Sequence, residues 1–297
     1  MSVSPDILCI GSVLWDIIGR SGSAMRKGSD VPGRITRIPG GVAMNIAMTL
    51  ARFGLRPALL TAIGRDAEGN ELITACAARG MDTTMVYRSD DLPTDVYMAV
   101  EGANGLIAAI ADAHSLEAAG DKILDPLSDG RLATRDSPYA GRIALDGNLT
   151  RELLSDMASS PLLASADLRV APASPGKAER LIPFVAHGRG TLYVNLEEAG
   201  LICNQSFEST GDAARGLLDR GAARVLVTNG GVDVTDGRRE GLLTRTPPQV
   251  LVARVTGAGD TFMAAHIASE AAGAAPDDAL TRALQAAATY VSGETAP

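Results

Sequence analysis

The sequence predicts an α/β fold, with a mostly parallel central sheet flanked by helices and a small β-sheet at one edge. Short apolar runs alternate with helical stretches along most of the chain, the pattern of strands connected through helices. Two stretches, 14–38 and 94–112, break that alternation and read as strands. No internal repeat, low-complexity tract or linker interrupts the 297 residues, so one compact domain spanning 1–297 is expected.

Each element has a local reason. Residues 7–11 form a continuous apolar run closed by glycine, the mark of a buried strand. Residues 42–53 have helical composition and stop at Gly54, a residue suited to the position just past a helix end. Residues 57–64 then read as a strand and 67–80 as a helix with another terminal glycine. Strands follow near 143–146, 168–171, 191–195 and 224–228, and helices near 150–158, 175–186 and 210–220, with a last helix after Gly259. The stretch TDVYMAVEGANGLIAAIAD (94–112) reads as a hairpin turning at Ala103-Asn104-Gly105. Residues 14–38, rich in glycine and charge, lack helical periodicity and supply further strands. Together these two segments would form a β-lid. A later hairpin, 232–245, is expected to turn at Asp236-Gly237.

Composition narrows the function. Apolar residues make up 46% and charged residues 21%, ordinary for a soluble globular chain. A net charge of −8 argues against a nucleic-acid partner, while a locally positive site for an anionic substrate stays open. Cys9, Cys76 and Cys203 stand far apart without CxxC spacing, so buried thiols are expected rather than disulfides or zinc. His114, His187 and His266 have no metal-binding spacing and read as structural or surface residues. The N-terminal run carries an acid before its short apolar stretch and resembles a strand rather than a targeting signal. No run approaches transmembrane length, so a cytoplasmic location is expected.

Several nucleotide and nucleophile motifs are excluded. There is no GxxxxGK[ST], no GxGxxG after the first strand, no HExxH and no GxSxG elbow. The stretch RVTGAGDTFMAAHIASEAAG (254–273) remains, with Gly257, Ala258, Gly259 and Asp260 at the opening of a helix. A helix start offers unpaired N–H donors and a positive dipole end, and glycines let a phosphate approach the backbone. A carboxylate at that mouth can take a proton from an attacking hydroxyl, which is what phosphoryl transfer needs. Read alone, the stretch is equally a small-residue turn with Asp260 as N-cap. A second stretch, PGGVAMNIAMTLARFG (39–54), sets Gly40-Gly41 before a helix and Asn45 one turn in. That is either a plain turn or a place where backbone and amide meet sugar hydroxyls. Asp16 could accept two such hydroxyls at once.

Together the two stretches resemble the signature regions of the ribokinase-like, PfkB-type carbohydrate kinases, in the same order and spacing. YVNLEEAG (193–200) is similar to the family's NxxE element, and VLVTNGG (225–231) to its strand and turn beside the nucleotide. The likeness implies a ribokinase-like fold and an ATP-dependent kinase. It assigns Asp260 as catalytic base and Gly257, Ala258 and Gly259 as the anion hole. Asp16, Gly40, Gly41 and Asn45 become the sugar-hydroxyl side, and Asn195, Thr228, Gly230 and Ser292 the nucleotide side. Glu198 is associated with Mg2+, through water. The family also implies a homodimer joined through the lids, whose VYMAV and LIAAIA strands are apolar.

One departure concerns potassium. Many members carry an acid two residues before the motif threonine, often part of a monovalent-cation site. Here Arg254 precedes Val255 and Thr256, which leaves K+ activation open. Little chain follows Gly293 to enclose an adenine.

For the acceptor, the stretches 93–120, LDGNLT (145–150) and APASPGKAERL (171–181) resemble pseudouridine kinases more than ribokinases or fructokinases. They add Asp112 and Lys177 as candidate base contacts, against the plain readings of a strand end and a solvated helix residue. The expected reaction is phosphorylation of a ribosyl 5′-hydroxyl, with pseudouridine favoured. Ribose, fructose, 2-keto-3-deoxygluconate or adenosine are the alternatives, and a non-catalytic sugar sensor the competing class.

Overall fold

The apolar runs become the strands of an eight-stranded sheet in a computed structural model whose described residues are 4–26 and 28–293. The first half contains β1 (Ile7–Ile10), β2 (Leu14–Arg20), β3 (Arg34–Gly40), α1 (Val42–Arg52), β4 (Pro57–Leu60), β5 (Ala62–Gly64), α2 (Ala67–Ala77), β6 (Tyr87–Ser89), β7 (Val96–Gly102), β8 (Gly105–Asp112), α3 (Ser115–Ala119) and β9 (Arg142–Asp146). The second contains α4 (Arg151–Ser159), β10 (Asp167–Ala171), α5 (Ile182–Ala186), β11 (Thr191–Asn195), α6 (Leu196–Cys203), α7 (Thr210–Asp219), β12 (Arg224–Thr228), β13 (Val234–Arg238), β14 (Gly241–Arg245), α8 (Ala258–Ala271) and α9 (Pro276–Ser292).

The main sheet runs β14-β13-β12-β11-β10-β9-β1-β4. It is parallel from β12 to β4, with β13 and β14 antiparallel at one edge. Strand alternation splits its side chains between two cores. Leu8, Ile10, Leu60, Ile143 and Leu145 pack with α4, α5, α6 and α7 on one face. Ile7, Cys9, Leu59 and Ala144 pack with α1, α2, α8 and α9 on the other. Burial on both faces explains why these strands read as unbroken apolar runs. All three cysteines are buried free thiols.

The two segments outside the alternation form a separate four-stranded sheet in the order β3-β2-β7-β8. Three sequence expectations change. The run 57–64 is two strands, because the chain breaks at Thr61 and β5 leaves the main sheet to pair with β6. The segment 175–186 is a 3-10 turn over Pro175–Leu181 followed by the short α5. The late hairpin turns at Arg239-Glu240 rather than at Asp236-Gly237, which lie inside β13. Asp236 is held there by Arg224 on β12, at 2.8 and 2.9 Å.

Candidate active site

Three strand ends, Asp146, Asn195 and Thr228, meet the starts of α1 and α8 at the carboxyl edge of the main sheet, where α/β folds place their ligands. Gly257 is the N-cap of α8, at φ 88°. A Cβ there would stand 2.5 Å from Tyr290 Oη. Helical pairing begins with Thr261 N donating to Gly257 O at 3.0 Å, and Ala258 N is taken by Val255 O at 3.0 Å. The N–H groups of Gly259 and Asp260 therefore have no acceptor within the helix and face outward at its positive end. Ala258 contributes wall rather than donor. Asp260 is not the cap. It is the third residue of α8, and its Oδ2 accepts from Asn45 Nδ2 at 2.8 Å.

The carboxyls here are held far from their ordinary values. Burial pushes Asp260 up to about 7, assisted by the nearby charges of Asp146 and Glu198 and opposed by the Asn45 hydrogen bond. Burial alone pushes Asp16 up to about 6. Carboxyls raised in this way, gathered in one cleft, are what a site of proton transfer requires. The far end of α8 is clamped: Glu270 accepts from Arg169 at 2.5 Å and pairs with Arg224 at 2.8 Å. A helix fixed at both ends holds Asp260 at a set depth.

On the side of the small sheet, Asp16 projects from β2 against the backbone of Gly40. A Cβ on Gly40 would fall 2.0 Å from Asp16 Oδ2. Gly41, at φ 96°, caps α1, and a Cβ on it would meet Ser12 O at 2.4 Å. Asp16, Gly40, Gly41, Asn45 and Asp260 are thus joined by successive contacts.

One organiser of this site was missed. Asp146, fully buried, accepts from Ser12 N at 2.8 Å, Ala43 N at 2.9 Å and Asn148 N at 2.8 Å. It ties the end of β1 to the first turn of α1. Its signal was an acid closing a buried strand in LDGNLT. Lys177 Nζ donates to Asn148 Oδ1 at 2.7 Å, which anchors it beside β9. Asp112 is not brought to Asp16. Register pairs Asp112 with Val96 and Val96 with Trp15, while Asp16 pairs with Tyr97 and Ile38. Paired residues share a face, so Asp112 lies on the opposite face of the small sheet from Asp16.

Between α8 and α9 a cavity of about 270 Å3 is lined by Thr228, Gly230, Ala258 and Gly259. Its apolar wall comes from Val234, Pro247, Val252 and Phe262, and from Leu284, Ala287 and Val291 of α9. The few residues after Gly293 lie outside the described residues, and the wall comes instead from α9, which precedes Gly293. Pro276, Asp277 and Asp278 in its first turn are good helix-start signals, and Leu284, Ala287 and Val291 recur at helical spacing. Val291 lines the cavity, whereas the Ser292 hydroxyl donates to Thr289 O at 2.9 Å. Asn195 and Glu198 form a capping box on α6, with reciprocal bonds of 2.8 Å. Arg254 donates to Tyr290 O at 2.8 Å and stacks 3.8 Å above the Tyr290 ring. Among the described residues no helix is long and apolar enough to cross a membrane.

Comparisons with known proteins come to the same place. A family model described as pfkB family carbohydrate kinase matches residues 4–296. A protein of Escherichia coli strain K12 named uncharacterized sugar kinase YeiI is 28% identical over 266 residues, covering 88% of this chain and 71% of that protein. The pseudouridine kinase of the same organism is 28% identical over 265 residues, covering 87% and 81%. Among solved structures, an Arabidopsis thaliana ribokinase superposes with a TM-score of 0.77 at 18% identity, over 97% of this chain and 93% of that one.

Proposed function

This chain belongs to the pfkB family of carbohydrate kinases, and from that premise we propose that it transfers the γ-phosphoryl group of ATP to the 5′-hydroxyl of a ribosyl compound, pseudouridine foremost. Its fold is ribokinase-like and its class is a phosphotransferase with an alcohol acceptor. The observation that carries the reading is the junction of Asn45, Asp260 and the free N–H groups at the start of α8. A sensor of sugars would have no use for a base beside those N–H groups.

Asp260 accepts the proton of the acceptor hydroxyl as its oxygen bonds to the γ-phosphorus and the bond to the β-bridging oxygen breaks. ADP leaves with that electron pair. The N–H groups of Gly259 and Asp260, with Gly257 shaping the turn, stabilise charge on the phosphoryl oxygens in flight. Asp16, Gly40, Gly41 and Asn45 hold the ribosyl 2′ and 3′ hydroxyls, and Lys177 lies on the side of the base. Thr228 and Gly230 border the nucleotide, whose base fits the apolar wall of the cavity. Magnesium, bound with the nucleotide, would neutralise phosphate charge. The residues fit it, because Mg2+ keeps several waters and takes one or two carboxylates rather than a protein cage. Glu198 commits Oε2 to the cap of α6 and leaves its second oxygen for a hydrated cation. The lid formed by 14–38 and 94–112 belongs to the same single domain, and its apolar outer face is the contact of a homodimer.

The pseudouridine kinase relative supports pseudouridine, and the YeiI relative, equally similar, favours the second reading of a free-sugar kinase. Comparing kcat/KM for pseudouridine, uridine, ribose and fructose at fixed ATP and Mg2+ decides between them. Pseudouridine carries a free ring N1–H that uridine lacks, and a buried acceptor left unpaired costs about 1–3 kcal/mol. That corresponds to roughly 5- to 150-fold in favour of pseudouridine over uridine. A faster reaction with ribose or a hexose establishes the free-sugar reading. Turnover with none of the acceptors counts against this reading and in favour of the sensor.

A further inference from the structure

The chain enters α8 through a tight turn, and such turns close in two forms. Ala258 N donates to Val255 O at 3.0 Å, which closes a four-residue turn over Val255, Thr256, Gly257 and Ala258. Gly257, the third of the four, sits at φ 88° and ψ −1°, the values that separate a type II turn from a type I turn. The two types differ by a flip of the central peptide, here the one joining Thr256 to Gly257. Glycine takes positive and negative φ about equally well, so the local sequence leaves both orientations open.

A side chain from the end of α9 selects between them. Tyr290 Oη donates to Thr256 O at 2.8 Å, and a Cβ on Gly257 would stand 2.5 Å from the same hydroxyl. Because the peptide is planar and trans, the Gly257 N–H then points away from Tyr290. Among the described residues nothing accepts that N–H. Tyr290 is itself held in place. Arg254 lies 3.8 Å over its ring and donates from Nε to its carbonyl at 2.8 Å. Ala253 N and Arg254 N both donate to Val291 O, at 2.9 and 3.1 Å. Residues 253 and 254 thereby serve orphan carbonyls at the end of α9. The same helix end lines the α8 cavity through Ala287, Ala288 and Val291, and Tyr290 is not part of that wall.

Resting on the kinase reading above, we propose that Tyr290 is a positioning residue for phosphoryl transfer. Its hydroxyl keeps the Thr256–Gly257 peptide turned with the carbonyl away from the phosphate. The Gly257 N–H then joins those of Gly259 and Asp260 as a donor to the phosphoryl oxygens. The opposite flip would aim a carbonyl oxygen at the place where negative charge develops, putting an acceptor where a donor is needed. Tyr290 touches no reacting atom. It acts through the peptide, with Arg254 holding its ring.

Steady-state kinetics of the full chain tests this, with ATP, Mg2+ and whichever of pseudouridine, ribose and fructose the parent turns over fastest. Tyr290→Phe keeps the ring and loses only the hydroxyl. Its kcat is expected to fall about tenfold, short of the roughly 10²–10³ for a donor removed outright, because the turn still visits the productive flip. KM for ATP and Tm should stay close to the parent's, since Tyr290 lies outside the cavity wall. Arg254 is exposed, and Arg254→Leu should lower kcat in the parent yet add no loss to Tyr290→Phe, because both act through one hydroxyl. With an active parent, three results overturn the proposal alone: an unchanged kcat in Tyr290→Phe, a loss carried by KM for ATP rather than kcat, or losses in the two variants that multiply. A parent inactive with all three acceptors removes the kinase reading, and this inference with it.

Discussion

Asn45 Nδ2 stands 2.8 Å from Asp260 Oδ2, across 215 positions of sequence. The bond joins the first turn of α1 to the first turn of α8. It also favours the ionised form of a carboxyl that its surroundings drive toward the neutral one. The predictions below follow from that opposition and from the turns that frame it.

Asp260→Asn should lower kcat by roughly 10² or more, the range of a lost general base, with acceptor KM little changed. The same variant should be more stable than the parent at pH 8. The folded value of Asp260, about 7, lies above its ordinary 3.8, so its stabilising effect is full below pH 3.8 and is lost as pH rises through 7. Removing the charge recovers about 1–3 kcal/mol after allowance for partial exposure. Thermal melts at pH 8 and near pH 4 check this. The gain should vanish at the lower pH, and a kcat near that of the parent would remove Asp260 from the mechanism.

The acid limb of kcat/KM should bend near pH 7, because this parameter reports the free enzyme. Asn45→Ala should move that bend to higher pH, since it deletes the interaction that holds the carboxyl down. A profile that stays flat through pH 6, or a bend that moves down in the variant, contradicts the assignment of the base.

The two glycines of the α8 turn should fail differently. Gly257→Val should lower Tm sharply, because φ is 88° and the new side chain meets Tyr290. Gly259→Val should fold at a Tm close to the parent, because nothing lies within 4 Å of its Cβ position. It should nonetheless lose turnover and ATP affinity, since the branched side chain fills the cavity mouth. Full activity in folded Gly259→Val would separate this cavity from the reaction.

Light scattering at micromolar concentration should show a dimer. Register places Ile35, Met98 and Ile110 on the face of the small sheet opposite Asp16, and Ile35 and Ile110 are 77% and 62% exposed. An apolar sheet face of this kind is ordinarily covered by a partner. Ile35→Lys combined with Ile110→Lys should yield monomer, and a monomeric parent protein would contradict the reading.

The sequence was most legible where local rules coincide with the fold. Unbroken apolar runs alternating with glycine-stopped helices marked the parallel sheet, and the Ala103-Asn104-Gly105 stretch marked the β7–β8 hairpin. Legibility failed where a long-range partner decides. Asp236-Gly237 has turn chemistry, yet Arg224 on β12 holds Asp236 in a strand. Asp260 has cap chemistry, yet Asn45 captures its carboxylate. Asp112 was read without its register, and register decides which face a strand residue shows. Asp146 carried no role because its partners are three backbone N–H groups, which leave no trace in side-chain patterns.

The carboxylate of Asp16 occupies the space that a side chain on Gly40 would need. Positions 16 and 40 therefore cannot drift independently. While the acid is kept, alanine at 40 would push the Asp16 carboxylate out of its place, a collision rather than any failing of the turn. Shortening position 16 would lift that veto, so the two sites form an epistatic pair. A lineage that stopped binding its acceptor through residue 16 would record the change twice, once in the lost acid and later in a glycine set free.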